Sequence, residues 1–155
     1  MRRLYLVAAL TWGLDLSSKI WAVNNLSARN PVEILGSFFQ LTLVRNPGAA
    51  FSFATGATII FTFISIAAVV TIVYYSSKIT SLWWATTLGL VLGGVLGNLT
   101  DRLFRSPGFL KGEVIDWLEL TRWPVFNLAD SAIVIAAFLA IVLTIRNVGP
   151  VDVTK

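Results

Sequence analysis

Ala57-Thr-Ile-Ile-Phe-Thr-Phe-Ile-Ser-Ile-Ala-Ala-Val-Val-Thr-Ile-Val-Tyr-Tyr75 runs for 19 residues without a charge. A helix of roughly 20 apolar residues crosses a hydrocarbon core of about 30 Å, so this stretch reads as a membrane span. Working outward, Leu82 to Leu99 is uncharged over 18 residues, and Ala129 to Ile145 carries only Asp130 at its start before Arg146. Leu4 to Val23 is a fourth apolar run, preceded by Arg2-Arg3 and interrupted by Asp15 and Lys19. Composition agrees: 56% of the 155 residues are hydrophobic and 13% charged, against about 25% charged in soluble domains. The expected fold is an all-α membrane protein, a four-transmembrane-helix bundle with spans over 4–23, 57–75, 82–99 and 129–145. One domain over residues 1–146 and a short, polar, frayed tail over 147–155 complete the outline.

The first run has a second reading as a cleaved signal peptide, with Arg2-Arg3 as its basic start. Asp15 and Lys19 inside the apolar region and the lack of a small-x-small cleavage site argue against that. Their i,i+4 spacing puts both on one helix face. They are either a buried structural ion pair or the brace of a polar site in the bundle. Gly89, Gly93 and Gly97 recur every four residues and form a small-residue stripe, suited to packing inside the bundle or to homodimerisation.

The connection Ser76 to Ser81 is short, so the second and third spans are antiparallel neighbours. The other two connections are long and lie on one side of the membrane. Asn24 to Gly56 holds the β-forming run Phe38 to Val44 and the turn Asn46-Pro47-Gly48, which predicts a small extended or hairpin element on the membrane surface. Thr100 to Leu128 is rich in charge and aromatics, and is expected to form a surface loop or helix. Asn46, Asp101, Asp116 and Asp130 can therefore meet. Six basic residues fall on the long-loop side and five on the other, so charge counting alone leaves the orientation open. The basic residues are scattered, which favours anionic lipid headgroups over nucleic acid as their counterpart.

The chain has no Cys and no His. That removes thiolate nucleophiles, the usual Ser-His-Asp triad and His-ligated metals, and no metal or cofactor is expected. Two carboxylates held close together share a proton, one activating water while the other protonates the substrate carbonyl or leaving group. Which aspartates would pair is not fixed by spacing. Asp101 has a plain structural role open to it through Arg105, four residues on, and Asp130 could simply cap the last helix.

Five blocks carry a resemblance. Asp15-Leu-Ser-Ser-Lys19, Arg45-Asn46-Pro-Gly-Ala-Ala-Phe51-Ser52, Gly97-Asn98-Leu-Thr-Asp101-Arg102, Val114-Ile115-Asp116 and Phe126-Asn127-Leu-Ala-Asp130-Ser131 resemble, in order, the lipoprotein signal peptidase (signal peptidase II) family. The resemblance implies a bacterial aspartic endopeptidase of the cytoplasmic membrane that cuts lipid-modified prolipoproteins just before the lipidated lipobox cysteine. It implies Asp116 and Asp130 as the catalytic dyad, and Asp101 as a supporting residue. Asn46, Asn98, Arg102 and Asn127 match polar positions lining the site, and Asp15 and Lys19 match the polar pair of the first helix. It further implies cytoplasmic termini, an extracytoplasmic β element and active site, contact with membrane lipids, and a monomer. The chain departs from the pattern in the long connection between Arg102 and Asp116, and in Trp117 where Phe is more usual.

Two rival readings stand beside this one. A small transporter would also hold intramembrane aspartates, but spread through the membrane depth or in paired half-repeats. A structural scaffold would tolerate Asp130→Asn, because Asn caps a helix about as well as Asp.

Overall fold

The computed structural model describes residues 1–48 and 57–151. Four helices, α1 (Arg2–Asn25), α2 (Ala57–Tyr75), α3 (Leu82–Phe104) and α4 (Leu128–Ile145), are long and apolar enough to cross a membrane. The first three strands in chain order are β1 (Val32–Glu33), β2 (Phe39–Asn46) and β3 (Val114–Leu120). The expected spans thus appear as helices. The third continues past Leu99 to Phe104, so Asp101 and Arg102 lie in its last turns rather than in a connection. Charge ended the apolar pattern, but the helix persists because Asp101 is buried with cationic partners.

α3 is the central helix and packs against the other three. Its glycines permit this. A Cβ at Gly93 would lie 2.6 Å from the Ala8 carbonyl oxygen, and one at Gly94 would lie 2.6 Å from that of Ala129. Gly89 and Gly97 face Leu4 and the Asp15 carboxylate in the same manner. The glycine stripe is therefore spent inside the bundle, on α1, with Gly94 turned to α4. By contrast, Ile60, Phe63, Ile64 and Val70 of α2 and Val134, Phe138 and Ile141 of α4 are exposed, as lipid-facing side chains of a spanning helix are.

Both long connections contribute to one antiparallel sheet of order β1-β2-β3. The run Phe38 to Val44 supplies most of β2. The surface helix allowed for between Arg102 and Asn127 is instead strand β3, where Val114, Ile115, Trp117 and Leu118 suit a pleated surface. β2 and β3 pair with Val44 opposite Asp116 and Asn46 opposite Val114, and a bulge lies between Leu41 and Val44. The connection returns to α3 through Gly112, whose N–H donates to the Arg102 carbonyl at 3.0 Å. Any Cβ there would overlap the Asp101 carbonyl oxygen. After β2, the Asn46 side chain accepts from Gly48 N–H at 2.8 Å and turns the chain. Ala49, Ala50, Phe51 and Ser52 of the same block lie outside the described residues.

The tail is not frayed over residues 147–151. Trp84 Nε1 donates to the Val148 carbonyl at 2.6 Å, and the Pro150 carbonyl accepts from Thr80 and Ser81 N–H, both at 3.2 Å. Unsatisfied N–H groups ahead of α3 give these residues a partner.

Candidate active site

Asp116 sits on β3 and Asp130 in the first turn of α4. Asn127 joins them. Its Nδ2 donates to Asp116 Oδ1 at 2.6 Å, while its Oδ1 accepts from Asp130 N–H at 2.9 Å. Asp130 Oδ2 in turn accepts from Asn127 N–H at 3.3 Å, completing a capping box. Asn127, not Asp130, is therefore the cap of α4, and Asp130 stands three residues in. The role leaves its other oxygen for the site, where Asp130 Oδ1 accepts from Asn98 Nδ2 at 2.7 Å. Asp116 Oδ2 accepts from Asn46 Nδ2 at 2.9 Å. Burial pushes the Asp116 carboxyl up to about 6, with the Asp130 charge adding to the rise. Amide hydrogen bonds from Asn46 and Asn127, and the charge of Lys19, offset only part of it.

A second pair of carboxylates lies directly beneath. Lys19 Nζ is fully buried, 2.7 Å from Asp15 Oδ2, 2.9 Å from Asp101 Oδ2 and 2.9 Å from Asn98 Oδ1. Asp101 also pairs with Arg105 Nε. Both readings of the Asp15–Lys19 pair are satisfied at once: it is a buried ion pair and it abuts the polar site. Arg102 turns the other way, with its guanidinium carbon 5.7 Å from the centre of the Phe61 ring. Its buried Nε and Nη1 have no hydrogen-bond partner among the described residues. All nine side chains singled out in the sequence thus fall in one region, joined directly except for Arg102, whose charge acts on Asp116 and Asp130 through space. Four aspartates from three helices and a strand gather at one level instead of spreading through the membrane, unlike the arrangement a transporter would need.

A family model described as signal peptidase (SPase) II matches residues 7–146. The chain belongs to the signal peptidase II family. It is 48% identical over 147 residues to a lipoprotein signal peptidase of Rhodococcus jostii, covering 95% of this chain and 74% of that one. The corresponding protein of Streptomyces coelicolor is 47% identical over 147 residues, with 95% and 72% covered. Among solved structures, a bacterial membrane enzyme determined in meso at 1.9 Å superposes with a TM-score of 0.79 at 28% identity, covering 91% of each chain. Another, determined at 2.3 Å, gives 0.79 at 25% identity over 97% of this chain and 92% of that one. A peptidase embedded in the membrane is therefore the frame for the site.

In this signal peptidase II family member two cavities reach the aspartates from different sides. Asp130 borders an apolar groove of about 300 Å³ lined by Trp123, Phe126, Ser131, Val134 and Ile135. Asp116 borders a cavity of about 230 Å³ lined by Val44, Arg45, Asn46, Pro47, Pro124 and Val125. The sequence reading missed Pro124 and Val125, which wall the second cavity just ahead of Phe126 in the first. The one local signal is Pro124, which interrupts the strand pattern after β3. Trp117 is half-buried and packs edge-on to the exposed Trp21 at 5.7 Å, whereas Trp83 and Trp123 are exposed in the manner of interfacial anchors.

Proposed function

We propose that this peptidase is an aspartic endopeptidase that removes the signal peptide of diacylglyceryl-modified prolipoproteins, cutting just before the lipidated lipobox cysteine. The observation that carries the reading is Asn127, which holds Asp116 and Asp130 through one side chain. In the reaction Asp130 takes a proton from water as the hydroxyl adds to the scissile carbonyl carbon, and Asp116 gives its proton to the carbonyl oxygen. Asp130 then passes its proton to the amide nitrogen as the C–N bond breaks, and Asp116 recovers one from the tetrahedral diol. A buried carboxyl with a raised pKa suits the acid role. No metal or cofactor takes part.

The apolar groove along α4 receives the hydrophobic signal helix, and the Arg102 N–H groups, without a partner among the described residues, bind a polar group of the substrate. The enzyme works as a monomer in the bacterial cytoplasmic membrane, as one unit over residues 1–146, with surrounding lipid as its other partner. Both termini are cytoplasmic and the sheet and aspartates lie at the extracytoplasmic face, where the lipid-modified cysteine is presented.

The test is cleavage of a diacylglyceryl-modified lipobox peptide by purified protein in detergent. Asp116→Asn and Asp130→Asn should each lower kcat by about 10³-fold while remaining folded. Glu119→Gln, on β3 but away from the carboxylates, should cleave like wild type. Normal turnover by either dyad variant sinks the mechanism.

A further inference from the structure

The buried Lys19 is not needed as a proton carrier, yet it touches three groups and each leads to the dyad. Asp15, paired with Lys19, accepts the Ala129 N–H at 2.9 Å through its other oxygen. Ala129 immediately precedes Asp130. Asp101, also paired with Lys19, accepts the Ile115 N–H at 3.2 Å. Ile115 immediately precedes Asp116. One ammonium therefore stands between two carboxylates, each of which grips the backbone directly ahead of one dyad aspartate.

The third contact sets a direction. An ammonium only donates hydrogen bonds, so the Asn98 side chain must turn its oxygen to Lys19. Its Nδ2 is then committed to Asp130 Oδ1. Asn98 Oδ1 also accepts from Asn127 Nδ2 at 3.1 Å, which orients that amide so that its NH2 meets Asp116 and its oxygen meets Asp130 N–H. Were Asn98 reversed, its carbonyl oxygen would face a carboxylate oxygen and its NH2 would face an ammonium, both repulsive. The polarity of the amide chain thus begins at Lys19.

Resting on the aspartic reading above, we propose that Lys19 is the positioning residue of the dyad: flanked by Asp15 and Asp101, it fixes the Asn98 and Asn127 amides so that Asn98 donates to Asp130 and Asn127 donates to Asp116. Lys19 does not touch substrate. Its loss disorders the two carboxylates relative to each other, and a misplacement of about 1 Å costs on the order of 100-fold in rate.

Removing Lys19 alone would strand the buried Asp15 carboxylate, so the test uses the charge-balanced double variant Asp15→Asn/Lys19→Met. It keeps an oxygen for the Ala129 N–H and leaves the Asp101–Arg105 pair intact. Cleavage of the lipobox peptide, corrected for the folded fraction, should show kcat lower by about 100-fold with KM unchanged. The single variant Asn98→Asp keeps an acceptor for Lys19 but replaces the donor aimed at Asp130, and should give the same kcat-only loss without unfolding. If the double variant does not fold, Asn98→Asp decides alone. Wild-type kcat per folded molecule in either variant overturns the positioning role. Asp116→Asn and Asp130→Asn run alongside keep the two ideas apart: if they remain active, the aspartic reading fails whatever Lys19 does.

Discussion

Asp15 and Asp101 differ from Asp116 and Asp130 in what surrounds them, although all four crowd into one small volume. The lower pair is neutralised by full charges, Lys19 and Arg105. The upper pair is held by neutral amides, from Asn46, Asn98 and Asn127. A buried carboxylate opposite a buried cation depends on that charge, and removing either partner strands the other. Neutral amides place a carboxylate without neutralising it, and at Asp116 burial still pushes the carboxyl up to about 6. The same residue type is charge-paired in one place and held by neutral amides in the other, by neighbours alone.

The contrast can be broken from either side. The largest stability effect should come from Asp15→Ala, which removes half of a buried pair and the acceptor for Ala129 N–H. A loss of about 3 kcal/mol is expected, read as a lowered thermal midpoint in detergent. Asn127→Ala strikes the amide side. It removes the cap of α4, costing about 1 kcal/mol, and should lower kcat by about 100-fold as both aspartates lose a contact. An unchanged kcat would show that the amides do not organise the pair.

Titration gives the finest separation. The Asp116 carboxyl lies at about 6 in the folded protein, above its ordinary value of 3.8. The folded state therefore holds that proton more tightly than the unfolded chain. Its stabilising contribution is complete below 3.8 and is lost as pH rises through about 6. Wild type should thus lose thermal stability over that window relative to Asp116→Asn, and kcat/KM should decline on the alkaline side as the proton leaves. Asn46→Ala removes a hydrogen bond that lowers the Asp116 value, so the alkaline limb should move to higher pH. A limb that stays put or moves down would contradict the amide account.

Much of this was legible in the chain, for a physical reason: lipid demands long uncharged runs, and their absence of charge is a local signal. The four spans follow from it. The third helix end did not, because what lets α3 run on to Phe104 is Lys19, a side chain on another helix. Strand β3 was obscured for a similar reason. Val114 to Leu120 alternates too weakly to declare a strand, and its partner β2 lies in the other long connection. At α4, the sequence offered Asp130 as a possible cap, but the cap is Asn127, because which residue caps depends on backbone geometry. That the nine named side chains gather in one region was legible from the sequence blocks. Its wiring, in which Asn98 and Asn127 point their amides by reference to Lys19, needed the fold.

The pairing within the lower layer also bears on how the protein enters the bilayer. Lys19 follows Asp15 by four residues on α1, and Arg105 follows Asp101 by four on α3. Each buried carboxylate thus travels with a counter-ion on its own helix, so each helix can partition as a nearly neutral unit before its neighbours arrive. Asp116 and Asp130 have no such escort, and they stand outside the apolar interior of any span. The charge-paired layer is thus self-sufficient within its own segments, whereas Asp116 takes its partners from Asn46 and Asn127 and Asp130 from Asn98, across segments.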